Sequence, residues 1–205
     1  MKDICYRGAL RSLTEIFILF TLIPFSYGQA DYQDREVRVH HLRALMAVSS
    51  DPAVVLATSL YTILDNKDVC CGRDSAMEDS LMAADPASLK DVARKLEGKH
   101  RLSDGRPIKV TTEYLPRDQA NGGHLIQMIH DQHPALMQWK ANLYVVHGAV
   151  YYLAANDTGG TYAALRRLLL WDTRYSDARR QVTFTIGTDD ISMIDGFLFV
   201  NAALQ

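Results

Sequence analysis

Cysteine is scarce in this chain, with three among 205 residues, and Cys5 lies in a leader expected to be removed. The two that remain, Cys70 and Cys71, are neighbours in sequence. That number is too small for the disulfide framework of a small secreted scaffold. A bond between adjacent residues would also close a strained small ring far from ordinary disulfide geometry, so free thiols are expected. Excess charge of one sign is missing as well. The formal net charge is −2 and Lys and Arg are scattered, which excludes a polyelectrolyte-type nucleic-acid binder. There is no long apolar run. The longest, Ile16 to Phe25, is shorter than the roughly 20 residues that span a bilayer, and Pro24 interrupts it. Internal repeats and low-complexity segments are also lacking.

What is present begins with an export pattern. Lys2, Arg7 and Arg11 precede the apolar run, and Ser26-Tyr27-Gly28-Gln29-Ala30 offers small residues at cleavage spacing. Residues 1–30 are therefore expected to be a cleaved signal peptide, and residues 31–205 one exported domain, periplasmic or secreted, large enough for a real core. No cysteine directly follows the apolar run, so a lipid anchor is not expected, and the run's shortness argues against stable membrane insertion. In such a compartment an exposed thiolate would be open to oxidation.

The apolar periodicity then changes along the chain. Residues 31–50 fit a strand followed by a helix, or one helix. Pro52 sits at a helix start, and "AVVLATSLYTIL" continues as a mostly apolar helix to about Asn66. After Cys70-Cys71-Gly72 a second helix is expected. A third begins near Asp85-Pro86, with Ser88 and Asp91 at capping spacing, Leu89, Val92, Ala93 and Leu96 as its buried stripe, and Gly98 as its stop. Asp104-Gly105 reads as a turn and "PIKVTTEYL" as a strand. Gly122-Gly123 open a short helix with Leu125, Ile126 and Ile129 inward, ended by Pro134. "ALMQW", "LYVVHGAVYYL", "LRRLLLWDT", "RQVTFTI" and "GFLFVNAAL" are strand candidates separated by polar turns. Helices first and an antiparallel sheet after them is the α+β arrangement, with the cysteine helix packed on the sheet.

The stretches "LIQMIHDQHPALMQW", "NLYVVHGAVYYL" and "LLLWDT", together with "CCG" ahead of a helix, resemble the papain-like cysteine peptidase superfamily, in particular its bacterial bacteriocin-processing type. The resemblance covers roughly residues 55 to 175. It implies a nucleophilic Cys opening a central helix, a catalytic His at the start of a later strand, and an Asp or Asn at the end of the next. Cys71, directly before Gly72, is then the preferred nucleophile and Cys70 the second choice, with Asp172 as the orienting residue. The family's His position, counted back from Gly148, holds Asn142 in this chain. His147 lies five residues further along the same strand, on the opposite side unless a bulge intervenes. No Gln precedes the cysteines, and Asn66 is the candidate oxyanion donor.

The chemistry behind that layout is general. A thiol at a helix N-terminus feels the partial positive charge of unpaired N–H groups, which favours the thiolate. A neighbouring imidazole completes its activation, and a carboxylate fixes the imidazole's tautomer. Other polar residues read more plainly. His124, His130 and His133 suggest solvated helix-end histidines more than a metal site, and His40-His41 a surface pair. Tyr144, Tyr151, Tyr152 and Trp171 read as sheet packing, and Asp177, Asp189 and Asp190 as turn residues. No cofactor is expected. Three functions stay open: an exported thiol peptidase acting on peptide bonds, a non-catalytic papain-like module that binds a peptide or protein partner, and an unrelated exported α+β binding protein.

Overall fold

The computed structural model describes residues 31–40, 42, 45–47, 49–65, 85–101 and 105–205. Among them are three α-helices and one antiparallel sheet of eight strands, an α+β architecture. The expected leader and the cysteine turn with the helix after it fall outside the described residues.

Strand β1 spans Asp31–Arg38, β2 Gly98–Arg101, β3 Pro107–Pro116, β4 Ala135–Trp139, β5 Asn142–Ala155, β6 Thr161–Trp171, β7 Gln181–Thr185 and β8 Ile194–Leu204. Their order in the sheet is β2-β3-β8-β4-β5-β6-β7, and β1 also pairs with β5. Strand β5 organises the sheet. Along one edge it pairs with β6 over its length, and along the other it pairs first with β4, at Asn142 to Val146, and then with β1, at Gly148 to Leu153.

Helix α1, Pro52–Asp65, and helix α2, Leu89–Leu96, cover one face of the sheet, and α3, Gly122–His130, covers the other. Leu56, Leu60 and Ile63 of α1 meet Val92 and Leu96 of α2 over Leu136, Val145, Leu198 and Val200. On the opposite face Leu125 and Ile129 of α3 pack on Met137, Val146, Leu168, Leu170, Phe184 and Phe197. Covering both faces explains the near-continuous apolar strands. A strand buried on two sides has no polar face to alternate with, and β4 is buried at every residue.

Local signals set the ends. Asp51 accepts a hydrogen bond from Ala53 N at 2.8 Å and so caps α1. Ser88 caps α2 by accepting from Asp91 N, and Asn121 caps α3 by accepting from Gly123 N. In α1 two buried hydroxyls face inward. Thr62 donates to Thr58 O at 2.9 Å, and Ser59 shares a 3.0 Å hydrogen bond with Thr173 just past β6. Buried hydroxyls need such partners, and the Ser59–Thr173 bond fastens the helix to the far end of β6.

Candidate functional site

Strand β5 starts directly after a tight hairpin in which Lys140 (φ 51°) and Ala141 (φ 59°) are both left-handed. That is the backbone of the two-residue turn that matches strand twist. Non-glycine residues adopt it at a cost of order 1 kcal/mol each. The turn places Asn142 opposite Trp139 in the hairpin. On the neighbouring strand β6 ends at Trp171, and Asp172 follows, its N–H donating to Arg180 O at 2.8 Å.

The ends of β5 and β6 meet in one guanidinium. Arg174 donates from Nε to Asp172 Oδ1 at 2.8 Å and from Nη2 to Oδ2 at 2.6 Å, while its Nη1 donates to Asn142 Oδ1 at 2.6 Å. Asn142 Nδ2 donates in turn to Lys140 O at 3.1 Å. Both carboxylate oxygens of Asp172 are therefore taken by a two-pronged pair, the strongest geometry such a pair has. Asp172 contributes a side chain only 4% exposed and Arg174 one 27% exposed. The Asp172 carboxylate beside it holds the Arg174 guanidinium above its ordinary range. Burial pushes the Tyr144 phenol up, and Asp172 nearby acts in the same direction.

His147 stands apart from this network. A bulge falls between Val146 and Gly148, on the very residue whose side the sequence left conditional. Its carbonyl accepts from Val39 N at 2.8 Å. Its ring stacks on Trp171 at 4.3 Å and 23°, and Trp171 packs against the core beneath α1 and α2. Tyr144, which shares Arg174, belongs to the core under α3. The charges acting on His147 are Arg38 and Glu36, not Asp172. Burial first, and then Arg38, lower its pKa to about 4. The structure thus brings together positions 142 and 172 of the expected triad and inserts an arginine between them, but it does not bring His147 to either.

The lowered pKa has a sign. Above about pH 6.5, the ordinary value, His147 is neutral whether folded or unfolded and costs nothing. As the pH falls from there toward about 4, only the unfolded chain takes the proton, so stability is lost across that window and the loss levels off below it. His147→Phe, which keeps an aromatic ring on Trp171, is expected to flatten the decline in urea midpoint between those two pH values. An unchanged slope would assign the acid sensitivity to other groups.

Cys70, Cys71 and Asn66 lie outside the described residues, as does His41. The three helices that the described residues lay against the sheet, α1, α2 and α3, contain no cysteine, and the expected cysteine helix lies outside the described residues. Arg174 was not a candidate on sequence grounds. The available signal was an Arg two residues beyond a carboxylate at a strand end, a short spacing common to solvated turns. His124 Nε2 sits 3.5 Å from Glu113 Oε1 and His130 Nδ1 sits 3.6 Å from Asp131 Oδ1. Among the described residues no group of three His, Cys, Asp or Glu side chains is arranged to hold a metal ion. Asp177 and Asp190 cap short 3-10 turns, and Asp189 accepts from Thr185 N at 2.7 Å. No helix among the described residues is long and apolar enough to cross a membrane.

The chain matches no protein-family model, and no curated protein resembles it in sequence.

Proposed function

We propose that this protein is a non-catalytic, papain-like module, exported from the cell, that binds a peptide or protein partner. The observation that carries the reading is the Asn142–Arg174–Asp172 bridge. In the papain-like layout position 142 supplies the general base and position 172 orients it. Here the first is an amide without a titratable proton, and the second spends both oxygens on a guanidinium. Neither position therefore supplies or orients an imidazole for a thiol.

The test uses the full chain. Its thiols are expected to react with iodoacetamide no faster than a free thiol at the same pH, and a mixed fluorogenic peptide pool is expected to stay uncleaved. Asn142→His alone is expected to remain inactive, because Arg174 still holds Asp172. Labelling well above the free-thiol rate that disappears in Cys71→Ala, accompanied by peptide cleavage, would return the protein to the hydrolases.

A further inference from the structure

Strand β6 outruns its neighbour. Arg167 to Trp171 pair with β7, whereas Thr161 to Leu165 pair with β5 alone. Past Thr185 the chain turns away. Ile186 N donates to Arg166 O at 2.9 Å, and the N–H groups of Thr188 and Asp189 fold back to Thr185 O. Among the described residues the outer edge of Thr161 to Leu165 therefore has no strand beside it. Alternate residues of such an edge turn N–H and C=O outward, ready for a further strand.

This edge borders an apolar cleft of about 450 Å³ between the start of α3 and the Ile186 to Ile194 segment. Leu165, Leu168, Phe184 and Phe197 are among its lining, with Ile191 and Ile194 on the far side. Tyr162 and Ile191 leave 55% and 44% of their surface exposed there. A cluster of uncovered large apolar side chains around a concavity marks a binding surface more often than scattered ones do. Arg117 also lines the cleft. Its Nη1 donates to Ser192 O at 2.7 Å, and among the described residues it forms no ion pair.

We propose that this cleft binds an extended peptide as a strand added to β6, continuing the position of β7, with apolar side chains in the cleft and a carboxylate on Arg117. Each part of the occupant follows from one feature. An open strand edge recognises main chain. Apolar walls accept every second side chain of an extended segment. The Arg117 guanidinium, which feels Asp190 nearby but makes no direct ion pair among the described residues, keeps N–H donors for a carboxylate, from a peptide C-terminus or an acidic side chain. The site lies at the opposite end of β6 from Asp172, roughly 30 Å away at the rise of a strand, and it does not depend on the papain-like reading.

The experiment titrates the full chain with a fluorescein-labelled hexapeptide alternating Thr and Val. The peptide is supplied as the free acid, as the C-terminal amide, and as the amide with one Glu in place of a Thr. Saturable binding is expected, with slowed amide exchange at Thr161 to Leu165. Arg117→Gln is expected to weaken the carboxylate-bearing peptide about tenfold and leave the plain amide unchanged. Tighter binding by the free acid assigns the carboxylate to a C-terminus, and tighter binding by the Glu peptide assigns it to a side chain. Ile191→Asp, a substitution at an exposed position, is expected to abolish all three. Failure of every peptide to saturate with the fold intact would overturn the proposal. So would protection at the Asn142 end instead, or self-association of the chain that excludes peptide and gives the edge to a second copy.

Discussion

Arg174→Met is expected to lower the free energy of unfolding by about 3 kcal/mol, the low end of the cost of stripping one partner from a buried ion pair. The low end applies because a quarter of the arginine side chain reaches water while the carboxylate is sealed, at 27% and 4% exposure. The variant leaves Asp172 with the Arg174 N–H as its remaining hydrogen-bond donor, at 3.0 Å, and leaves Asn142 Oδ1 without its 2.6 Å donor. Urea unfolding followed by tryptophan fluorescence and by far-UV circular dichroism measures the loss. Arg174→Met combined with Asp172→Asn should regain a large part of it, because the stranded charge is gone. A loss below about 1 kcal/mol in the single variant would mean that the pair behaves as a surface pair and would remove the argument that it commits Asp172.

Phe184→Ala is expected to cost about 4 kcal/mol, within the range for truncating a fully buried phenylalanine. Its ring is completely enclosed and meets Trp139 edge-on at 5.1 Å and 90°. It is also the buried anchor of β7, whose other residues are partly or fully exposed. Deleting it both opens a void beside Trp139 and loosens the strand at the sheet's margin. Phe184→Leu, which keeps four of the seven side-chain carbons, should cost clearly less than the alanine variant. The two variants together separate loss of volume from loss of the aromatic contact. A small effect of the alanine variant would mean that β7 is not held by this ring.

The strands from Ala135 onward were legible because each is a compact apolar run bounded by polar turns, and each of the five candidates coincides with an observed strand to within a few residues. Helices α1, α2 and α3 were legible from Pro52, from the Ser88 cap and from Gly122-Gly123 for the same local reasons. Strand β2 was not. Gly98-Lys99-His100-Arg101 is polar and half exposed, and its extended form comes from pairing with β3, a tertiary contact with no local signature. Strand β1 was half legible. Its residues are mostly exposed, so the helix alternative for 31–50 could be settled only by its pairing with β5.

The site divides along the same line. The proximity of positions 142 and 172 follows from adjacent antiparallel strands, and the resemblance to the papain-like layout implied it. The identity of the group between them did not follow. Arg174 reaches Asn142 from the turn that follows Trp171, and no count of residues says which way a guanidinium turns. The side taken by His147 was equally unreadable, since the bulge that decides it is a property of two strands together.

Strand β5 is shared along one edge by β4 and then by β1, and the division falls at His147. The two halves of that edge differ in mechanical strength. The first is riveted by core side chains from both faces, while β1 is held by backbone rungs and largely exposed side chains. A tether pulling on the chain ahead of Asp31 would load those rungs one after another, from Leu153 toward Gly148, like a zipper instead of a sheared joint. The first strand would strip away at lower force than the strands held by the core and leave the remainder of the sheet intact.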